Sequence, residues 1–184
     1  MVFFTLSTLT LGLAALTSAL PSRTRDTTQR SNFSLALNAV NYLHLSLNAI
    51  QSSTIGIMDL IFERQCTYPG TPAYLNNTLL IFTPSVYGYP LGTPYSMSFP
   101  SVGDNYGYTV PVTAIFGENG NTGFGESNGV ITAKLDATLE SFFACNETLD
   151  GVDRFALKWG VFKADGGAPD GCVAAQLVES FNVQ

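Results

Sequence analysis

The chain has 184 residues, 46% of them apolar and only 12% charged, with 17 glycines and 9 prolines. So much apolar content excludes a disordered chain, and so little charge among so many turn formers argues against a coiled coil. Eight Lys and Arg against 14 Asp and Glu leave a net charge of −6, which disfavours nucleic acid or an anionic membrane surface as a partner.

The first charged residue is Arg23. Before it, Val2, Phe3, Phe4, Leu6, Leu9, Leu11, Leu13 and Leu16 form an apolar run closed by Thr17-Ser18-Ala19. Residues 1–19 are therefore expected to be a secretory signal peptide. The Ser and Thr within the run, and positive charge on its C-terminal side alone, argue against a membrane-spanning helix. Residues 20–31, with Arg23, Arg25 and Arg30, lack periodicity and read as a flexible polar arm. Residues 32–184 are expected to form a single β-rich domain.

Within that domain apolar residues recur with period two, the mark of half-buried strands. Phe33, Leu35 and Leu37 share one face, and Leu43, Leu45 and Leu47 share another. Ile55, Ile57 and Leu60-Ile61-Phe62 are ambiguous between strand and short helix, while Leu79 to Phe82 run continuously up to Pro84. Alternation returns at Tyr95, Met97 and Phe99, then at Tyr108, Val110 and Val112, and at Ile131, Ala133 and Leu135. Phe142 and Phe143 stand beside Cys145, before Phe155, Leu157, Trp159 and Val161, and then Val173, Ala175 and Leu177. Turn signals separate these runs, among them Pro69-Gly70, Pro90-Leu91-Gly92, Gly120-Asn121 and Asp165-Gly166-Gly167. The expected fold is an all-β antiparallel sandwich or barrel of about nine short strands, with little helix beyond the leader.

The cysteines are Cys66, Cys145 and Cys172. An oxidising compartment favours pairing, and an odd number leaves one over. The span from Cys145 to Cys172 reads as strand, loop, strand, so these two are expected to bond at the base of a hairpin-like unit. Closing that span would stabilise by roughly 3–4 kcal/mol on the chain-entropy account. Cys66 is then free, buried or intermolecular; three isolated buried thiols is the alternative. Asn32-Phe33-Ser34, Asn76-Asn77-Thr78 and Asn146-Glu147-Thr148 are N-glycosylation sequons, so Asn32, Asn76 and Asn146 are expected glycan sites on an exported chain.

Residues with catalytic potential are few. Gly125-Glu126-Ser127-Asn128-Gly129 matches the G-x-S-x-G pattern, which in a nucleophile elbow turns a strand sharply into a helix. Here a strand-like segment follows, and the only histidine, His44, precedes the serine. A loop whose glycines satisfy backbone geometry is the expectation. One histidine and widely spaced cysteines disfavour a zinc site, and the Glu118-Asn119-Gly120-Asn121 loop lacks the register of a calcium loop. No metal and no cofactor is expected. Glu118, Glu126, Asp136, Glu140, Glu147, Asp150, Asp153, Asp165 and Asp170 crowd the second half. A glycoside hydrolase needs only two carboxylates across a cleft, but nothing in the sequence picks out a pair.

Seven tyrosines lie between Tyr68 and Tyr108. Tyr87-Gly88-Tyr89 and Tyr106-Gly107-Tyr108 put rings two residues apart, so that in an extended chain both share one face. Flat amphipathic rings of this kind stack on sugars or make protein contacts at low entropic cost. Capping the sandwich core is the competing use of the same residues.

From Asn128-Gly129-Val130-Ile131 onward, with Phe142-Phe143-Ala144-Cys145, Ala156-Leu157-Lys158-Trp159-Gly160 and Pro169-Asp170-Gly171-Cys172, the chain resembles a family of small fungal secreted proteins of unknown function. The resemblance covers the last third. It implies a β-rich domain behind a leader and supports the pairing of Cys145 with Cys172. The expectation is a secreted, glycosylated, non-enzymatic protein that recognises carbohydrate or protein at a cell surface or on a host through Tyr87, Tyr89, Tyr106 and Tyr108. A carboxylate-dependent hydrolase of extracellular polysaccharide is the alternative.

Overall fold

The computed structural model describes residues 33–39, 45–64, 69–86, 88, 90–134 and 140–180. The expected signal peptide and arm, together with Asn32, His44, Cys66, Tyr68, Tyr87, Tyr89 and Asp136, lie outside the described residues. Among those described there are strands and no helix, so the fold class is the expected one.

In chain order the strands are β1 (Ser34–Asn38), β2 (Leu45–Gln51), β3 (Ile57–Arg64), β4 (Ala73–Asn76), β5 (Leu79–Phe82), β6 (Tyr95–Ser98) and β7 (Thr109–Pro111). They continue with β8 (Thr113–Phe116), β9 (Phe124–Ser127), β10 (Val130–Ala133), β11 (Glu140–Leu149), β12 (Val152–Val161), β13 (Cys172–Ala174) and β14 (Gln176–Ser180). That makes 14 described strands in place of the expected nine or so. The excess has two physical sources. β4 and β9 are short and lie among Pro, Asn and Gly, where alternation is weak. The other source is change of partner: β7 pairs with β12 and β8 with β3 and β6, the chain switching at Val112.

All strand pairs are antiparallel and run β4-β5-β6-β8-β3-β2-β1-β14-β10-β9, with β7, β12, β11 and β13 branching from β3. The branch arises because β3 divides one edge between two partners. Ile57, Met58 and Asp59 pair with β8, whereas Ile61 and Phe62 pair with β12. Among the described residues β1 and β2 pair at Ala36 and Ser46. The chain leading into β4 reaches both: Thr71 N donates to Leu47 O at 3.0 Å, and Ala73 N donates to Phe33 O at 2.7 Å. Those bonds curl the sheet into a nearly closed barrel. Gly70 permits the approach, since its φ is +95° and a Cβ there would stand 3.0 Å from the Cβ of Ser34 and 3.2 Å from that of Ser46.

Two hairpins turn on residues suited to positive φ. Asn128 and Gly129 (φ 54° and 78°) join β9 to β10, and Asp150 and Gly151 (51° and 76°) join β11 to β12. Positive φ at both central positions is the tight turn whose twist matches paired strands. The G-x-S-x-G match is thus a hairpin, and Glu126 Oε1 accepts the Gly129 N–H at 2.6 Å.

The alternating residues fill one shared core. Leu35, Leu37, Leu47, Met58, Leu60 and Phe62 meet Tyr95, Met97 and Phe99, and then Leu157, Trp159 and Val161 from the branch. On the other face of β12 the buried Lys158 is paired with Glu147 of β11; a buried ammonium requires such a partner. Cys145 and Cys172 form a disulfide, as expected, though not at the base of a hairpin. β11 is the middle strand of β12-β11-β13, and the bond clamps it to β13 with Cys145 directly opposite Cys172.

Candidate functional site

An aromatic cluster forms the floor from which the exposed loops are built. Phe99 stacks on Trp159 with ring centres 4.7 Å apart and 26° between planes. Phe142 meets the indole edge-on at 4.8 Å. Beyond Phe99, residues 100–108 are tied down in several places. Val102 is buried, and its N–H donates to Glu140 Oε1 at 3.1 Å. Asn105 Nδ2 donates to Val102 O, and Tyr108 N donates to Asn105 O. The Gly107 N–H is shared between Val161 O and Phe162 O, while Val161 N donates to Tyr108 O at 3.0 Å. Gly160 makes this closeness possible, because a Cβ there would come 2.5 Å from Tyr108 O.

Tyr106 and Tyr108 ride on this braced loop and are 61% and 54% exposed. They do not follow the geometry of an extended chain, since Gly107 between them has φ +71°. Tyr74 and Tyr95 are buried and belong to the packing of the barrel, with Tyr95 edge-on to Phe116 at 5.8 Å. The described tyrosines Tyr74, Tyr95, Tyr106 and Tyr108 therefore divide into interior and surface groups, a division that spacing alone does not mark.

On the other side of the Trp159 cluster lies a cleft of about 300 Å³ between β10, β11 and β14. Ile131, Phe142, Trp159 and Ala175 line it together with Thr132, Glu140, Ser141 and Gln176. Sequence reasoning singles out Glu140 only as one acid among many, and the other polar lining residues not at all. They come from distant strands and share no motif. The available signal was the weak one of polar residues interrupting apolar runs.

The acidic residues named from the sequence are mostly engaged in local structure. Glu118 accepts from Asn76, Asp153 from the Thr148 hydroxyl at 2.7 Å, and Asp165 from the Gly167 N–H. Glu147 pairs with Lys158, and Asp170 with Lys163. The Lys163 hydrogen bond, and then its charge, hold the Asp170 carboxyl below its ordinary 3.8, while Asp170 raises Lys163 above 10.5. A general acid requires the opposite shift. Among the described residues no group of three or more His, Cys, Asp and Glu could hold a metal ion. Of the sequons, Asn76 ends β4 at an exposed turn, and Asn146 is exposed on β11.

What these features define is an antiparallel β protein with a braced aromatic surface loop beside a small cleft. Set against protein-family models, curated proteins and solved structures, the chain matches none.

Proposed function

We propose that this chain is a secreted, glycosylated, non-enzymatic protein that binds cell-surface polysaccharide through exposed tyrosine rings. The observation that carries the reading is the pair Tyr106 and Tyr108, more than half exposed on a loop held by the Val102, Asn105 and Gly107 hydrogen bonds. Presenting rigid aromatic rings to solvent has an entropic advantage in binding, because little freedom remains to be lost. Tyr87 and Tyr89 belong to the same proposal from sequence. The disulfide is compatible with export. Hydrolysis draws less support, since among the described residues the cleft lining holds one carboxylate, Glu140, which accepts a hydrogen bond from Val102.

The test is a pull-down on insoluble cell-wall polysaccharide, comparing the native chain with the Tyr106→Ala/Tyr108→Ala variant. Loss of two stacking rings is expected to weaken binding by at least about tenfold with an unchanged urea midpoint. Equal binding by the two chains would discard the proposal. Capture on a protein-coated matrix but not on polysaccharide would move the ligand class to protein.

A further inference from the structure

We propose that the polysaccharide held by Tyr106 and Tyr108 is built of free amino sugars, whose ammonium groups are drawn to the tyrosine faces and to the carboxylates beside them. The inference rests on the tyrosine reading above and adds to it the charge of the ligand. Tyr106 and Gly107 occupy the middle of a turn closed by Tyr108 N, which donates to Asn105 O at 3.1 Å. The segment 162–171 lies against that turn. Gly107 N donates to Phe162 O at 3.1 Å, and a Cβ at Gly107 would stand 3.4 Å from Lys163 Cγ. Lys163 Nζ in turn holds the Asp170 carboxylate at 2.7 Å, so that acid stands one lysine side chain away from the turn. Asp165 acts on the same ammonium, helping to raise it above 10.5.

Charge on these two segments is one-sided. Residues 100–108 and 162–171 carry Asp104, Asp165 and Asp170, all exposed, against Lys163 alone. One ammonium does not neutralise three carboxylates, and the segments keep a net charge of −2. Glu140 adds a fourth acid beneath the loop, where it accepts the Val102 N–H. The whole chain, at −6, has the same sign. An acidic polymer is repelled by such a surface, and a neutral one gains from ring stacking alone. A protonated amine gains twice, from the carboxylates and from the negative faces of exposed tyrosine rings. The rings make the contact; the acids select the sign of what they hold.

The test titrates the native chain with soluble hexamers of glucosamine and of N-acetylglucosamine, which share a linkage and differ in charge. At about pH 5.5 the free amines are protonated and the aspartates ionised. In about 50 mM salt the glucosamine hexamer is expected to bind at least about tenfold more tightly, a preference that falls to about twofold in about 1 M salt. Tyr106→Ala/Tyr108→Ala should weaken the binding of both hexamers by about tenfold. Asp104→Asn/Asp165→Asn should cut the preference to about threefold, and the new amide oxygen can still accept the Gly167 N–H that Asp165 holds at 2.9 Å. Equal affinity for the two hexamers, with the rings required for both, would overturn the charge inference and leave the tyrosine reading standing. Glucosamine binding kept in full by the tyrosine variant would overturn both. Hexalysine bound as tightly as the glucosamine hexamer, and through the same rings, would overturn the sugar in favour of a basic protein.

Discussion

The branch formed by β7, β12, β11 and β13 and the barrel side formed by β4, β5, β6 and β8 reach order by different means. β11 and β12 are ten residues each and pair along their whole length, from Glu140 opposite Val161 to Leu149 opposite Val152. A disulfide adds a covalent tie to β13. On the barrel side β4, β5, β6 and β8 have four residues each, and the ring closes through the few hydrogen bonds of Thr71 and Ala73. Long ladders stabilise locally, whereas short strands depend on close approach at a few points. The exposed Tyr106 and Tyr108 are anchored on the long-ladder side, where Gly107 and Tyr108 bond to the end of β12. A recognition surface gains from such a support because the rings do not have to be ordered on binding.

The disulfide is the tie whose loss matters most. Cys145→Ser/Cys172→Ser opens a separation of 27 residues and is expected to lower unfolding stability by about 3 kcal/mol in urea melts. A loss near zero would show that the ladder alone holds β13. The barrel side is tested by Gly70→Ala, which puts a Cβ into a φ of +95° and against Ser34 and Ser46. A cost of about 2 kcal/mol is expected from the strained backbone and the crowded contact. Faster amide exchange should then spread from Ala73 and Phe33 and spare β11.

The smallest expected effect belongs to the surface pair of Lys163, partly exposed, and Asp170, fully exposed. Asp170 is held below 3.8 in the folded chain, so its contribution is present above that value and fades as pH falls through the lowered one. Lys163 is raised above 10.5, so its share is complete below that value and is lost as pH climbs past the raised one. Asp170→Asn should therefore leave a slight stability deficit that is flat from about pH 5 to 9 and vanishes in strong acid. Added salt should shrink it, since exposed pairs are screened.

Much of the framework was legible. The alternations at Leu35/Leu37, Tyr95/Met97/Phe99 and Leu157/Trp159/Val161 all mark residues that are buried. Ile57 to Phe62, ambiguous in sequence, is strand, because pairing with β2 along its length overrides any local helical preference. Asn128-Gly129 and Asp150-Gly151 are hairpin signals, the first overlapping a catalytic pattern. Tyr108 was read as part of the Val110/Val112 alternation, yet it is exposed, since the chain enters β7 only at Thr109. The cleft was not legible: Glu140, Thr132 and Gln176 lie on three strands that no local pattern brings together.

Side-chain alternation and turn chemistry are local properties, so the class of fold and the buried face of most strands are legible in the chain itself. Which edges meet, how β3 divides between β8 and β12, and which of the described tyrosines reach solvent are settled by long-range packing. The reason is that every residue but proline offers the same backbone donor and acceptor. Edge pairing is therefore chosen by the collective packing of side chains far apart in the chain.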